Sequence, residues 1–270
     1  MDRSFRQSPK TLERYATILE TIAPIEGGLS LTEIARSTGL PKGSVHRILG
    51  ALVDAGFAAS GRGRTTYSLG PRLLRLLHLG AQKEAIEPIV RPLLYSLSQQ
   101  FGQTAFMAKL IGREVHSVVM TAPDETRQSF VQPGRVMAPN AAASAKAIIA
   151  FQPESFIDAV LEQPLPRFTA NTCVDPARLR DGYAQVRRDG YALCLDEMDP
   201  GVMTVAVPVH LEGIGVIYSI GVVGLQPLLS RFPIERLVAA LRGVAVRAAE
   251  VLRIGLREAQ DAGRPALERR

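Results

Sequence analysis

Apolar residues recur at three- and four-residue spacing over residues 10–23. There Leu12, Tyr15, Ile18, Leu19 and Ile22 share one helical face, and Pro24 with Gly27 and Gly28 closes the segment. Two short amphipathic segments follow. Ser30 and Glu33 have capping-box spacing ahead of Leu31, Ile34 and Ala35, and Gly39 stands where that helix should end. Pro41 is expected in the first turn of the next helix, whose apolar face is Val45, Ile48, Leu49 and Leu52 at i, i+3, i+4 and i+7. Residues 58–60 and 65–69 bracket a loop of glycine and arginine and read as a β-hairpin. The layout is that of a winged helix-turn-helix. A leucine-rich helix is expected over residues 72–83, packed on the wing domain or on a second subunit.

The periodicity changes from residue 86 onward. A helix is expected over 86–100, bent or started near Pro88 and Pro92. Strands are expected over 103–110 and 115–121, and over 202–210 and 215–223, each pair joined as a hairpin. Helices at 141–151, 153–163 and 176–188, a short strand at 191–195 and a closing helix at 234–257 complete the pattern. Hairpins interleaved with helices indicate an α+β domain. The expected division is a DNA-binding domain at 1–70, a linker helix at 71–85, an α+β domain at 86–258 and a disordered tail at 259–270.

Charge sharpens the picture. The chain carries 32 Lys and Arg against 26 Asp and Glu, a net of +6. Residues 1–80 hold 11 basic and 6 acidic side chains, so nearly all the excess lies there, where a polyanion would bind. On the second short helix Lys42, Ser44, His46 and Arg47 form the polar surface. All four can donate to phosphates or to the acceptor edge of guanine. Arg62 and Arg64 stand at the wing tip, within reach of a backbone phosphate or the minor groove. The plainer alternative for this region is an amphipathic helix pair with a solvated face.

No run of about 18 apolar residues suggests a membrane span, and the polar residues 1–10 carry no secretion-signal core. Cys173 and Cys194 form no CxxC pair. A reduced, cytoplasmic chain fits them best, with a disulfide between them as the alternative. No nucleophile elbow, P-loop, His-Glu-x-x-His or dinucleotide-binding glycine pattern occurs, so an enzyme is the weaker reading, as is a DNA-binding architectural protein without a ligand. His116 and His210 lack neighbours at metal-ligand spacing, and neither metal nor cofactor is expected. Asp196, Glu197 and Asp199 read as a solvated acidic loop, Cys194 as a buried small hydrophobe, and Asn140 as a helix N-cap able to present amides to an anion.

Three stretches carry a family resemblance: Gly-Leu-Pro-Lys-Gly-Ser-Val-His-Arg-Ile-Leu at 39–49, Tyr-Ser-Leu-Gly-Pro-Arg-Leu-Leu at 67–74, and Gly-Tyr at 190–191 followed by Val-Ala-Val-Pro-Val at 205–209. The chain resembles the IclR family of bacterial transcriptional regulators over residues 10–249. The resemblance implies a winged helix, a linker helix and a GAF-like effector-binding domain with a curved antiparallel sheet. It implies dimers or tetramers on palindromic operators, and an organic acid or aromatic metabolite as effector. Lys42, Ser44, His46 and Arg47 match the family's recognition-helix contacts, whereas Arg62 and Arg64 match only as basic wing residues.

The implied effector pocket lies over the sheet, beside residues 140–146, and would include Met107, Asn140, Ala141, Cys194, Thr204, Gly221 and Val223. Asn140 and Ala145 depart from the family's usual histidine and glycine. Cys194 stands where some members are acidic, and Thr204 where some carry cysteine or another small polar residue. Gly221 and Val223 stand where carboxylate-binding relatives can have serines. The implied pocket is less polar than one for a small keto acid and favours a larger ligand such as an aromatic acid. No basic residue is assigned to hold the carboxylate.

Overall fold

The computed structural model describes residues 11–25, 27–61, 65–80, 83–123 and 130–262. The wing-tip residues Arg62 and Arg64 and the tail from 263 lie outside the described residues. The chain divides into two units, between Leu77 and His78.

The first unit contains α1 (Thr11–Ile22), β1 (Leu29–Ser30), α2 (Leu31–Thr38), α3 (Lys42–Asp54), β2 (Ala58–Ser60) and β3 (Thr66–Leu69), and the start of α4 (Pro71–Gly80). The strands form a three-stranded antiparallel sheet in the order β1-β3-β2. The core is Ile18 and Ile22 from α1, Ile34 from α2, and Val45, Ile48, Leu49 and Leu52 from α3. These are the residues whose spacing predicts the helices.

The capping box forms as expected. The Ser30 backbone N–H donates to Glu33 Oε2 at 2.8 Å, and the Ser30 hydroxyl accepts from the Glu33 amide. Such a cap contributes about 1 kcal/mol. Gly39 ends α2 with φ +67°, the left-handed conformation glycine adopts without a Cβ clash. Pro41 differs from expectation. It is the N-cap residue, and α3 begins one residue later at Lys42. Its carbonyl accepts from the amides of Ser44 and Val45, so the ring sits before the first helical turn.

The second unit contains α5 (Lys83–Phe101), β4 (Thr104–Ile111), β5 (Glu114–Thr121), β6 (Val136–Met137), α6 (Ala143–Ile149), α7 (Glu154–Leu161) and α8 (Pro176–Asp189). It continues with β7 (Ala192–Leu195), β8 (Val202–Leu211), β9 (Gly215–Leu225), α9 (Gln226–Leu229) and α10 (Ile234–Ala262). The six strands form an antiparallel sheet in the order β6-β5-β4-β9-β8-β7. β8 and β9 are buried on both faces, which explains their near-continuous apolar sequences.

α5 begins earlier than expected and runs through Pro88 and Pro92. Each interior proline costs about 3 kcal/mol. Burial of Ile86, Val90, Leu94, Leu97 and Phe101 along one face outweighs that cost. α6 begins at Ala143, two residues later than expected. α10 continues to Ala262, so residues 259–262 are helical where a tail was expected. β1, β6 and α9 are too short to leave a periodicity.

The last turn of α4 is held by one cross-strand pair. Lys109 of β4 and Tyr218 of β9 are register partners. Lys109 Nζ donates to the Leu79 carbonyl at 3.0 Å, and the Tyr218 hydroxyl donates to the His78 carbonyl at 3.2 Å. Carbonyls at a helix C-terminus have no intrahelical partner, and a cation there is favoured by the helix dipole. The His78 ring packs edge-on to Tyr218, with 6.0 Å between centroids, and its Nδ1 is buried without a hydrogen bond.

Two predictions follow from these constraints. A Cβ on Gly28 (φ +78°) would lie 2.4 Å from the Tyr67 carbonyl oxygen, so Gly28→Ala should cost the first unit about 3 kcal/mol. A thermal melt of that unit unchanged by the substitution would contradict the β1–β3 register. Burial, with a smaller contribution from Lys109, depresses His78 from 6.5 to about 4. The unfolded chain therefore takes up this proton first as pH falls. Stability is full above pH 6.5 and should decline by ~2 kcal/mol towards pH 4. Urea unfolding of wild type and His78→Gln at pH 7 and pH 5 should give a steeper loss in wild type; parallel losses would refute burial of a neutral imidazole.

Candidate DNA interface and effector cavity

α3 buries Val45, Ile48, Leu49 and Leu52 and turns its other side outward. Lys42, His46 and Arg47 are exposed and Ser44 is half-buried. A Cβ on Gly43 or Gly50 would meet no other atom within 4 Å, so nothing crowds this face. No side chain caps the start of α3. The exposed face thus brings together the four candidate contact residues beside a helix N-terminus, a natural place for a phosphate.

Arg72, at the start of α4, is tied to its own domain. Its Nη1 donates to the Ala55 carbonyl at 3.1 Å, and its guanidinium lies over the Phe57 ring, 4.9 Å from the centroid. It braces the base of the wing. Arg75 is half-buried, and burial lowers its pKa.

In the second unit a small cavity lies between the sheet and α6. Cys194 of β7, Thr204 of β8 and Val223 of β9 line it, together with Phe106 of β4 and Ala143 and Ser144 of α6. Register explains the gathering: Cys194 pairs with Thr204 and Thr204 with Val223, so the three stand in one row across the sheet. Gly221, the partner of Phe106, lies in the same face beneath the Phe106 ring.

The other expected pocket residues lie elsewhere. Met107 follows Phe106 in the strand, and alternation turns it to the opposite face, where it is fully buried. Asn140 is not an N-cap. The cap position of α6 is Ala142, and the Asn140 amide donates to the carbonyls of Pro166 and Cys173, both at 2.9 Å. Asn140 and Ala141 are buried behind the start of α6. Asn140 thereby ties the 164–175 segment to the domain.

Sequence reasoning missed Arg135, which stands in the cavity wall with Phe130, Val131 and Asp199. Its Nη1 donates to the Phe130 carbonyl at 3.0 Å. Residues 130–135 have no periodicity; the pairing of β6 with β5, and backbone hydrogen bonds of Gly134 and Arg135 with Ser117, bring them to the sheet. The acidic loop also differs from a solvated one. Glu197 pairs with Lys146 of α6 at 2.6 and 2.7 Å, and both side chains are largely buried. Lys146 also donates to the Leu193 carbonyl, and Asp196, at φ 55°, accepts from the Gly201 amide. These bonds lay the loop against the cavity.

Burial raises the Cys194 pKa, with Glu197 adding to the effect, so the thiol stays protonated and unreactive. Cys173 and Cys194 are both free thiols. Among the described residues no cluster of three or more His, Cys, Asp or Glu could hold a metal, and no helix is long and apolar enough to cross a membrane. A wider cleft of about 340 Å³ runs along α8 and β7, but it is open, and Lys146 in its wall is already paired. The small cavity is therefore the better candidate site.

Comparison with known proteins identifies both domains. Residues 11–60 match the IclR helix-turn-helix domain, and residues 79–249 match the bacterial transcriptional regulator IclR C-terminal domain. The chain is 33% identical over 258 residues to the HTH-type transcriptional regulator BhcR of Paracoccus denitrificans, covering 95% of this chain and 91% of that protein. It is 31% identical over 253 residues to the glycerol operon regulatory protein of Streptomyces griseus, covering 91% and 97%. It is also similar to the crystal structure of an IclR homologue from Microbacterium hydrocarbonoxydans complexed with 4-hydroxybenzoate, with 26% identity, a TM-score of 0.58, and coverage of 91% of this chain and all of the other.

Proposed function

Because the chain belongs to the IclR family, and is thus a DNA-binding transcriptional regulator with an effector-binding domain, we propose that it binds a palindromic operator as a dimer or tetramer and senses a small aromatic acid. The cavity that gathers Cys194, Thr204 and Val223 beside Arg135 carries this reading. Its walls are mostly apolar, and Arg135 supplies the cation that the sequence alone did not assign. The 4-hydroxybenzoate held by the Microbacterium homologue is consistent with that chemistry.

On DNA, two α3 helices of a dimer would enter successive major grooves about 34 Å apart. Arg47 reads bases, Lys42 and Ser44 hold phosphates with the uncapped start of α3, and His46 donates to either. Arg62 and Arg64 of the wing hold the flanking backbone. The effector signal passes through the end of α4. β4 and β9 carry Phe106, Gly221 and Val223 on the cavity face, and Lys109 and Tyr218 on the face that grips α4. A ligand that binds one arrangement of these strands more tightly shifts the balance of α4 positions, and so the spacing of paired α3 helices.

Fluorescence anisotropy on DNA from upstream of the gene and on random DNA tests this reading, across salt and with a panel of aromatic and aliphatic acids. An acid that changes affinity for one DNA sequence alone supports it. Binding without preference, unaffected by any acid, argues against it. In the same assay Arg47→Ala should reduce discrimination by roughly 1–3 kcal/mol, whereas Arg72→Ala should chiefly lower the melting temperature. Equal loss on both DNAs for Arg47→Ala would remove its role as a base reader.

A further inference from the structure

The cavity is small, and the aromatic side chain of Phe106 stands in its wall. Its volume is about 20 Å³, enough for one water and far too small for a benzene ring. Phe106 is fully buried there. Its ring lies so close over Gly221 that a Cβ at that position would come within 2.9 Å of Cε1 and Cζ. Any residue larger than glycine would push the ring away, so Gly221 is what admits it. Val131, Met137, Val202 and Val223 line the same cavity.

Two polar residues, Ser144 and Arg135, stand in the same wall, and the Ser144 hydroxyl lacks a partner. Ser144 is fully buried, yet its Oγ has no hydrogen-bond partner, although its carbonyl accepts from the Ser219 hydroxyl at 3.0 Å. A buried hydroxyl without a partner is costly, and a ligand would satisfy it. Arg135 also lines the cavity; its Nη1 donates to the Phe130 carbonyl, and the remaining donors of its planar guanidinium match a carboxylate. Asp199 in the same wall would repel a second anionic group.

We propose that Phe106 competes with the effector: its ring occupies the volume that the ring of an aromatic monocarboxylate takes on binding, with the carboxylate at Arg135 and Ser144 Oγ as a hydrogen-bond partner. This rests on reading the cavity as the effector site. Phe106 and Gly221 then determine specificity. The resident ring sets the size of ligand worth admitting, and each ligand must overcome the packing that holds the ring in place. Affinity is reduced by the rarity of the open arrangement.

Isothermal titration of benzoate, 4-hydroxybenzoate and neutral benzamide into the full-length protein and two variants tests this. Phe106→Leu keeps an apolar side chain but frees room. It should lower the melting temperature yet tighten benzoate binding by about fivefold or more. Arg135→Gln, at an exposed residue, should weaken benzoate by about tenfold or more and leave benzamide unchanged. Phe106→Leu that binds benzoate no better than wild type would overturn the competition, even if the acid binds. Arg135→Gln that leaves benzoate unaffected would overturn the carboxylate assignment. Absence of aromatic-acid binding to wild type and Phe106→Leu alike would sink the inference. A non-aromatic effector found by operator release would show that the regulator reading stands without it.

Discussion

The end of α4 depends on a buried lysine. Lys109 is almost fully enclosed, and burial lowers its pKa. A cation in that position needs oxygen partners, and a helix C-terminus supplies them as carbonyls that have lost their own donors. Tyr218, directly across the strand pair, takes the neighbouring carbonyl. Both bonds come from the two central strands of the sheet. The last turn of the linker helix is therefore fixed to β4 and β9, not merely near them. His78, pressed against Tyr218 and kept neutral by burial, completes the seat.

Those same strands floor the cavity. Alternation along a strand sends neighbouring residues to opposite faces. Phe106 and Val223 therefore meet the cavity, while Lys109 and Tyr218 meet α4. A change in how the Phe106 ring packs has a short route to the helix seat through the backbones of two strands. The other side of the cavity is fixed by polar ties. Lys146 donates to Glu197 and to the Leu193 carbonyl, which holds the loop that carries Met198 and Asp199 of the cavity lining.

Much of this was legible in the sequence. The helix-turn-helix was, because Ser30 with Glu33, Gly39 and the Val45-to-Leu52 stripe are local signals that survive into three dimensions unchanged. Both long hairpins were legible for the same reason. The cavity was only partly legible. Cys194, Thr204 and Val223 come together through strand register, and the resemblance to a family located them. Met107, expected in the pocket, lies on the face of β4 opposite Phe106, because neighbouring residues along a strand alternate. Asn140 read as an N-cap because asparagine commonly is one, but its amide is drawn instead to two carbonyls more than 25 residues away. Arg135 and the Lys146–Glu197 pair depend on contacts between distant segments with no periodicity. Nothing local could reveal them.

The account turns on whether the strand pair transmits the effector's binding to DNA. The direct test is the coupling between an aromatic acid and operator DNA, measured by fluorescence anisotropy in wild type and in a Lys109→Met, Tyr218→Phe double variant. In wild type the acid should change operator affinity by about fivefold or more, a coupling of about 1 kcal/mol. In the double variant both acid and DNA should still bind, and the coupling should vanish. Coupling of wild-type size in a folded variant that has lost both helix-end bonds would contradict the account.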